Sequence, residues 1–325
     1  MKRSLVSGCV SFLLAAALSP SQAGAFAPTN LTGCVMWLQA DAANVQTNSA
    51  AGRVSQWNDL SGNSNHAYQT NDVNRQPLYQ ESGPNGLPTV YFDVRNYNNA
   101  YNARLLTGTP LTNACTTYIV ARVLDGSELG ITWRRLLGSR DKNWFLGTYI
   151  PGTFYAHGDS AELSGTITRL KSAYRFNRTY TMSAMNTTTS QFFYVNGRDL
   201  TGNPTAKTPP GRLSIGSVDG YSDEGDAQIS EVIAYDRALT SAERQQVEDY
   251  LAARYGVTSE GFDGPVWNGS GVSGLWSDSA NWQQTMPATP MLAFNGISRT
   301  TSTNDLTGLV LDSVMVWDQS WQFSG

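Results

Sequence analysis

The chain has 325 residues, 40% of them hydrophobic, with nine Trp, 15 Tyr and 11 Phe, enough to bury a full core and too apolar for a disordered chain. Its 26 acidic residues outnumber 22 basic ones, for a formal net charge of −4. Phosphate-driven binding needs clustered Lys and Arg, and the densest basic pair, Arg134-Arg135, reads as part of a solvated strand, so the balance disfavours nucleic acid as a partner.

In chain order, the first 25 residues read as a secretory signal: Lys2 and Arg3, an apolar core over 5–18, and Ala23-Gly24-Ala25 as a small-residue cleavage site. The mature chain then begins at Phe26 with 20 basic and 26 acidic residues, and no later run of about 18 apolar residues would span a bilayer. Val6-Ser7-Gly8-Cys9 mimics a lipoprotein box, but only two apolar residues precede it. Removing Cys9 leaves Cys34 and Cys115, each at the start of a strand-like run. In an oxidising compartment they form either one disulfide joining neighbouring strands or two buried free thiols.

Short strands with turn punctuation follow. Residues 117–123 alternate in strand fashion, 144–150 form an aromatic strand, and QFFYVNGR over 191–198 is the clearest hairpin. There Asn196-Gly197 can supply the positive φ angles of a type I′ turn. Ile229, Val232, Ile233 and Tyr235 predict a further strand whose alternation falters around Val232. A single helix comes next: Thr240 as N-cap, Glu243 completing a capping box, a stripe of Val247, Tyr250, Leu251 and Tyr255, and Gly256 as the C-terminal cap. Many strands and one helix over about 230 residues predict an all-β jelly-roll sandwich closed by one C-terminal capping helix. TSEGFDG over 258–264 reads as a linker, and the remainder, 265–325, is rich in Trp.

Several blocks carry a resemblance. CVMWLQAD from Cys34, GRVSQWNDLSGNSNHA from Gly52, NGLPTVYFD from Asn85 and the 227–257 segment with its YDRALT turn resemble, in this order, the LamG-like, concanavalin A-type jelly-roll domains of bacterial surface proteins. The match covers roughly 30–257. After Phe92-Asp93 the family has a short Gly-Asp-rich turn where this chain has VRNYNNAYNARLL, which puts any ligand contact of that turn in doubt. Further on, WNG at Trp267, GLWSDSANW from Gly274, LAFNG from Leu292 and NDL from Asn304 are similar to the repeat that opens autotransporter-associated β-solenoid passengers, although MPATPML lacks the Gly and Asp often found before the Phe-rich strand. Such coils bury their apolar faces only by stacking, and the segment has room for one, ending in Trp317 and Trp321. The chain is therefore expected to be a piece of a longer surface protein, or one whose last strands pair with something else.

A retaining glycosidase needs two carboxylates about 5 Å apart. The nearest candidates, Glu224, Asp226 and Glu231, have the wrong spacing for one strand face, and Glu231 reads as lying across a loop-to-strand boundary. His66 and His157 lack a nucleophile elbow and are too few for zinc; His66 reads as a ring holding a polar loop. The resemblance implies a calcium site at the sheet edge, with Asn58, Asp59, Asn63 and Asn65 as ligands together with Asp226 or Glu231, against the plain role of Asn and Asp in turns. For a sugar, an exposed aromatic platform is required, and Trp133, Trp144, Tyr149, Tyr155 and His157 are the candidates. Sequons at Asn30, Asn177, Asn186 and Asn268 would accept glycans only in a eukaryotic secretory route. The expected protein is a secreted or cell-surface bacterial module that recognises carbohydrate or a surface partner without catalysis; a glycoside hydrolase on the same scaffold and a structural spacer in an adhesin are the alternatives.

Overall fold

A computed structural model describes residues 26–48, 52–93, 103–124, 133–149, 154–157, 177–201, 209–217 and 225–257, and, farther on, 266–267, 269, 271–282, 291–294, 300–309, 313–316 and 322–324. The signal-like segment, the linker 258–264, Trp317 and Trp321 lie outside these residues. The first region contains β1 (Cys34–Gln39), β2 (Val45–Asn48), β3 (Arg53–Trp57), β4 (Ala67–Tyr68), β5 (Leu78–Gln80), β6 (Thr89–Phe92), β7 (Leu105–Leu111), β8 (Cys115–Val123), β9 (Trp133–Ser139), β10 (Phe145–Tyr149), β11 (Phe154–His157), β12 (Thr179–Asn186), β13 (Gln191–Val195), β14 (Arg198–Asp199), β15 (Gly211–Ile215) and β16 (Ala227–Tyr235), followed by α1 (Ser241–Tyr255).

The strands pair in the order β11-β10-β9-β15-β7-β4-β3-β5-β6-β16-β8-β12-β13-β14, with β1 also on β16 and β2 on β3. This ribbon folds over on itself as a sandwich. Leu105, Leu137, Leu213 and Ile215 from one layer meet Ile119, Ala121, Met182, Ala184 and Val232 from the other in a single buried cluster. Alternate residues of β8, Tyr118 and Val120, face the opposite way and join Ile233, Tyr235, Val247, Leu251 and Tyr255 in a second cluster under α1. Burying each of those helical side chains contributes on the order of 1.5–3 kcal/mol.

The faltering alternation around Val232 has a cause. Ile229 lies opposite Ala121, but Glu231 lies opposite Val120, so β16 carries one extra residue as a β-bulge at Ser230. Before the bulge Ile229 faces the inter-sheet core; after it, Val232 and Ala234 do so while Glu231, Ile233 and Tyr235 turn to the helix. The helix begins and ends as expected. Thr240 and Glu243 cap each other's backbone donors, and Gly256 sits at φ +63°. The hairpin turn also matches, with Asn196 at φ +48° and Gly197 at φ +78° between Val195 and Arg198.

Three expectations are corrected. Cys34 and Cys115 are free, buried thiols, not a bridge. Cys34 is opposite Tyr235 and Tyr235 is opposite Thr116, so β16 stands between their strands, and two strand spacings put the Cα atoms roughly 10 Å apart, too far for a disulfide. They also face different clusters, Cys34 under the helix and Cys115 between the sheets. Burial pushes the Cys34 thiol up to about 12 and the Cys115 thiol up to about 11. Arg134 and Arg135 are buried rather than solvated: Arg135 donates to the Trp144 carbonyl (2.8 Å) and lies over the Phe145 ring, and Arg134 pairs with Asp226 (3.8 Å).

The third correction concerns the C-terminal region. There β17 (Val266–Trp267), β18 (Met291–Phe294) and β20 (Ser313–Val316) form a three-stranded parallel ladder, and β19 (Thr301–Thr303) pairs in parallel with β21 (Gln322–Ser324). Trp267 lies opposite Phe294, Leu292 opposite Val314 and Ser302 opposite Phe323, so the chain returns to the same column after 27, 22 and 21 residues. The ladder is three strands deep, where one coil was expected. Trp267, Trp276, Trp282, Leu292 and Phe294 form its core.

Candidate functional site

Glu231, the most tempting carboxylate in the sequence, is 1% exposed and lies within β16 rather than at a boundary. The bulge turns it under α1, where it accepts hydrogen bonds from Trp37 Nε1 (2.7 Å), Tyr250 OH (2.8 Å) and Tyr255 OH (2.7 Å), with Arg254 Nε 3.7 Å away. Burial raises its pKa most strongly, and the three donors and Arg254 offset part of that rise. Glu231 is a clamp between helix and sheet. Its companions are elsewhere: Asp226 accepts from Tyr91 OH (2.9 Å) and pairs with Arg134, and Glu224 lies outside the described residues.

The Asn and Asp loop after β3 is equally committed. The Asp59 carboxylate accepts from the backbone N–H groups of Trp37 (2.8 Å), Ser61 (2.9 Å) and Asn65 (2.9 Å) and from the Ser61 hydroxyl (2.8 Å). Asn63 donates to the Cys34 carbonyl and Asn65 to the Val35 carbonyl, while Asn58 Oδ1 accepts from Gln46 and Gln56. His66 Nδ1 accepts from the Asp59 N–H (3.0 Å), the loop-holding role expected of it. Of the six residues considered for calcium, four therefore share this loop, with the Asp59 oxygens turned onto the protein's own donors, and Asp226 and Glu231 sit in two other places. Among the described residues, no three His, Cys, Asp or Glu side chains cluster as a metal site.

The aromatic candidates divide. Trp144 and Tyr155 are each 2% exposed; Trp144 belongs to the inter-sheet core, and Tyr155 stacks on Phe145 with ring centroids 4.8 Å apart. Neither offers a platform to solvent. Trp133 and Tyr149 face each other across β9 and β10, and His157 ends β11, but the side chains of these three lie outside the described residues.

A different group of residues does converge. At the end of the sandwich where α1 stops, four turns meet: the 3-10 turn Pro84–Gly86 with Asn85 at φ +54°, Asn177 at φ +61° just before β12, the Asn196-Gly197 turn, and the Gly256 helix cap. Asn tolerates this left-handed backbone better than other non-glycine residues, and in doing so projects an amide from three of the four turns. Between the turns lies a cleft of about 300 Å³, lined mainly by Asn85, Asn177, Arg178, Thr179, Asn196 and Tyr255. That is the low end of the ~300–1,000 Å³ typical of small-molecule sites.

Two of the cleft amides are half engaged. Asn85 Nδ2 donates to the Arg254 carbonyl (3.0 Å), which satisfies one orphan acceptor of the helix end, and Asn196 Oδ1 accepts from the Thr181 N–H (2.9 Å). Each keeps its other end for the cleft, although Asn196 is only 7% exposed. Among the described residues, the side chains of Asn177, Arg178 and Thr179 have no hydrogen-bond or ion-pair partner. The described lining thus offers amide N–H groups, an amide oxygen, a hydroxyl and a guanidinium, and no carboxylate. The sequence reading caught Asn196-Gly197 as a turn and Asn177 as a sequon but did not bring them together. Asn at turn positions was the available signal; which turns share one end of the sandwich was not.

No family model and no curated protein matches the chain. Among solved structures it is similar to the sialidase of Trypanosoma rangeli in complex with the inhibitor DANA, at 14% identity over 67% of this chain and 33% of that one, with a TM-score of 0.46. It is similar also to the binding domain of Paraclostridial Mosquitocidal Protein 1, at 13% identity over 68% of this chain and 52% of that one (TM-score 0.45). A third is domain 4 of AbnA, a GH43 extracellular arabinanase from Geobacillus stearothermophilus in complex with arabinotriose, at 14% identity over 67% of this chain and 97% of the domain (TM-score 0.43). The chain spans about a third of the length of the sialidase and about half of the mosquitocidal binding domain.

Proposed function

We propose that residues 26–257 form a non-catalytic carbohydrate-binding module of a secreted or surface-exposed protein, and that its ligand enters the cleft at the end of α1. One observation carries this reading. Five polar side chains, Asn85, Asn177, Arg178, Thr179 and Asn196, converge on a space about the size of one sugar ring and retain hydrogen-bonding capacity that the protein does not use. Sugar hydroxyls both donate and accept, and an amide beside a hydroxyl or guanidinium can engage two neighbouring hydroxyls at once. A pocket held by turns around a rigid sheet end is also largely pre-formed, which lowers the ordering cost of binding.

Catalysis finds less support. Glu231 is sealed beneath the helix and the Asp59 carboxylate is filled by loop donors, so neither is free to act as acid, base or nucleophile. The parallel ladder of β17, β18 and β20 favours a second role for 265–325 as a stalk that holds the module away from a surface. A glycan array probed with the protein, alongside β-glucan panels assayed for turnover, tests the proposal. Saturable glycan binding without turnover is expected; hydrolysis abolished by Glu231→Gln, or no glycan bound at all, would contradict it.

A further inference from the structure

Among the described residues, the cleft lining carries one formal charge and no counter-charge. Arg178 is half-buried in its wall and has no ion-pair or hydrogen-bond partner among those residues, whereas Arg237, Arg244 and Arg254 around the helix are engaged. Arg244 places Nη1 2.6 and 2.8 Å from the two Glu248 oxygens, and Arg254 lies 3.3 Å from Asp41 and 3.7 Å from Glu231. Glu248, Asp41 and Glu231 are therefore already paired, and the sequence neighbours of Arg178 are the uncharged Asn177 and Thr179. The end of α1 would oppose an anion through its carbonyl dipoles, but Asn85 Nδ2 satisfies the Arg254 carbonyl and the Arg254 guanidinium stands close to the last turn.

From this we propose, building on the carbohydrate reading above, that the cleft selects an acidic sugar: a hexuronic acid residue, whose carboxylate pairs with Arg178 while its ring hydroxyls meet the amides of Asn85, Asn177 and Asn196. The guanidinium is planar and presents parallel N–H donors that match a carboxylate bidentately, a fit that a lysine ammonium cannot reproduce. A charge-assisted pair of this kind contributes enough to favour the acidic over the neutral sugar by roughly 10-fold to 100-fold.

Titration calorimetry on the mature protein with tetra-galacturonate and with neutral tetra-galactose, at fixed ionic strength and pH 7, tests this directly. The uronate oligomer is expected to bind roughly tenfold tighter or more. Arg178→Gln should erase that preference and Arg178→Lys restore only part of it, with both variants checked for an unchanged melting temperature. Arg212→Gln, which removes a surface ion pair with Asp141 outside the cleft, should keep the preference. Equal affinity for the two oligomers overturns the acidic-sugar inference and leaves the carbohydrate module standing. Failure of both oligomers to bind overturns the acidic-sugar inference as stated, and the glycan array then decides the carbohydrate reading by itself. Equal competition by polyglutamate of matched charge also overturns it, because it reduces the effect to polyanion adsorption.

Discussion

The two ends of the surface beneath and beside α1 use the same kinds of side chain to opposite effect. At the start of the helix and beneath it, polar groups are spent on structure: Thr240 and Glu243 cap the first turn, Arg237 grips Glu243 through both oxygens at 2.8 and 2.7 Å, and Glu231 collects three donors. At the far end, Asn85 and Asn196 are half used and Asn177, Arg178 and Thr179 are not used at all. Folding satisfies buried polar groups wherever it can, because an unmade buried hydrogen bond costs about 1–3 kcal/mol. Groups left facing open space are held by water instead, and a ligand that replaces that water gains about 0.5–1.5 kcal/mol per hydrogen bond, more where a charged group takes part.

The contrast can be broken from its structural side first. Glu231→Ala should strand the Trp37, Tyr250 and Tyr255 donors beneath the helix and cost about 3–5 kcal/mol. For a domain of this size that lowers the melting temperature by about 2–4 °C per kcal/mol. Glu231→Gln, whose amide oxygen can still accept, should lose clearly less. Calorimetric melting of the three proteins checks the order.

On the functional side the expected effect is on affinity. Asn196→Asp keeps the acceptor for the Thr181 N–H and tolerates φ +48°, but exchanges the cleft-facing amide N–H groups for a negative charge. Uronate affinity should fall by roughly tenfold or more, read by calorimetric titration at a temperature where the variant is folded, because a carboxylate at this buried position also lowers the melting temperature.

Smaller effects follow at the cap and in the loop. Thr240→Ala should cost about 1 kcal/mol in denaturant unfolding. The Arg237 guanidinium and the Thr240 N–H hold the Glu243 carboxyl down at about 2, below its ordinary value of 4.5. A depressed carboxylate stabilises the fold above its unfolded pKa, so this contribution is full above 4.5 and disappears as pH falls toward 2. The acid limb of a stability profile should therefore be shallower in Glu243→Gln across that window. At the bottom of the scale, excess chelator should leave the melting temperature unchanged, because the Asp59 oxygens already accept four protein hydrogen bonds.

What the sequence made legible follows the range of the interactions involved. The capping box, the Gly256 cap and the Asn196-Gly197 turn are written in adjacent residues and appear where the pattern put them. The irregularity at Val232 was visible too, although only the pairing with β8 identifies it as a bulge that swings Glu231 under the helix. Long-range placement was not legible. Cys34 and Cys115 begin comparable strands, yet the strand that separates them lies over 100 residues further along the chain. Trp144 and Tyr155 had the composition of a sugar platform, but burial on both faces of a strand cannot be read from aromatic content alone. The cleft depends on four turns drawn from Asn85 to Gly256, and nothing local to any of them marks the meeting point.

Binding at this cleft can be located residue by residue. In a heteronuclear NMR titration of the mature protein with tetra-galacturonate, the side-chain amides of Asn85, Asn177 and Asn196 should shift saturably and together, while the indole N–H signals of Trp37 and Trp144 stay in place. Saturable shifts confined to Trp144 and the strands β9–β11, with the three Asn amides unmoved, would contradict the assignment and return the binding site to the aromatic face.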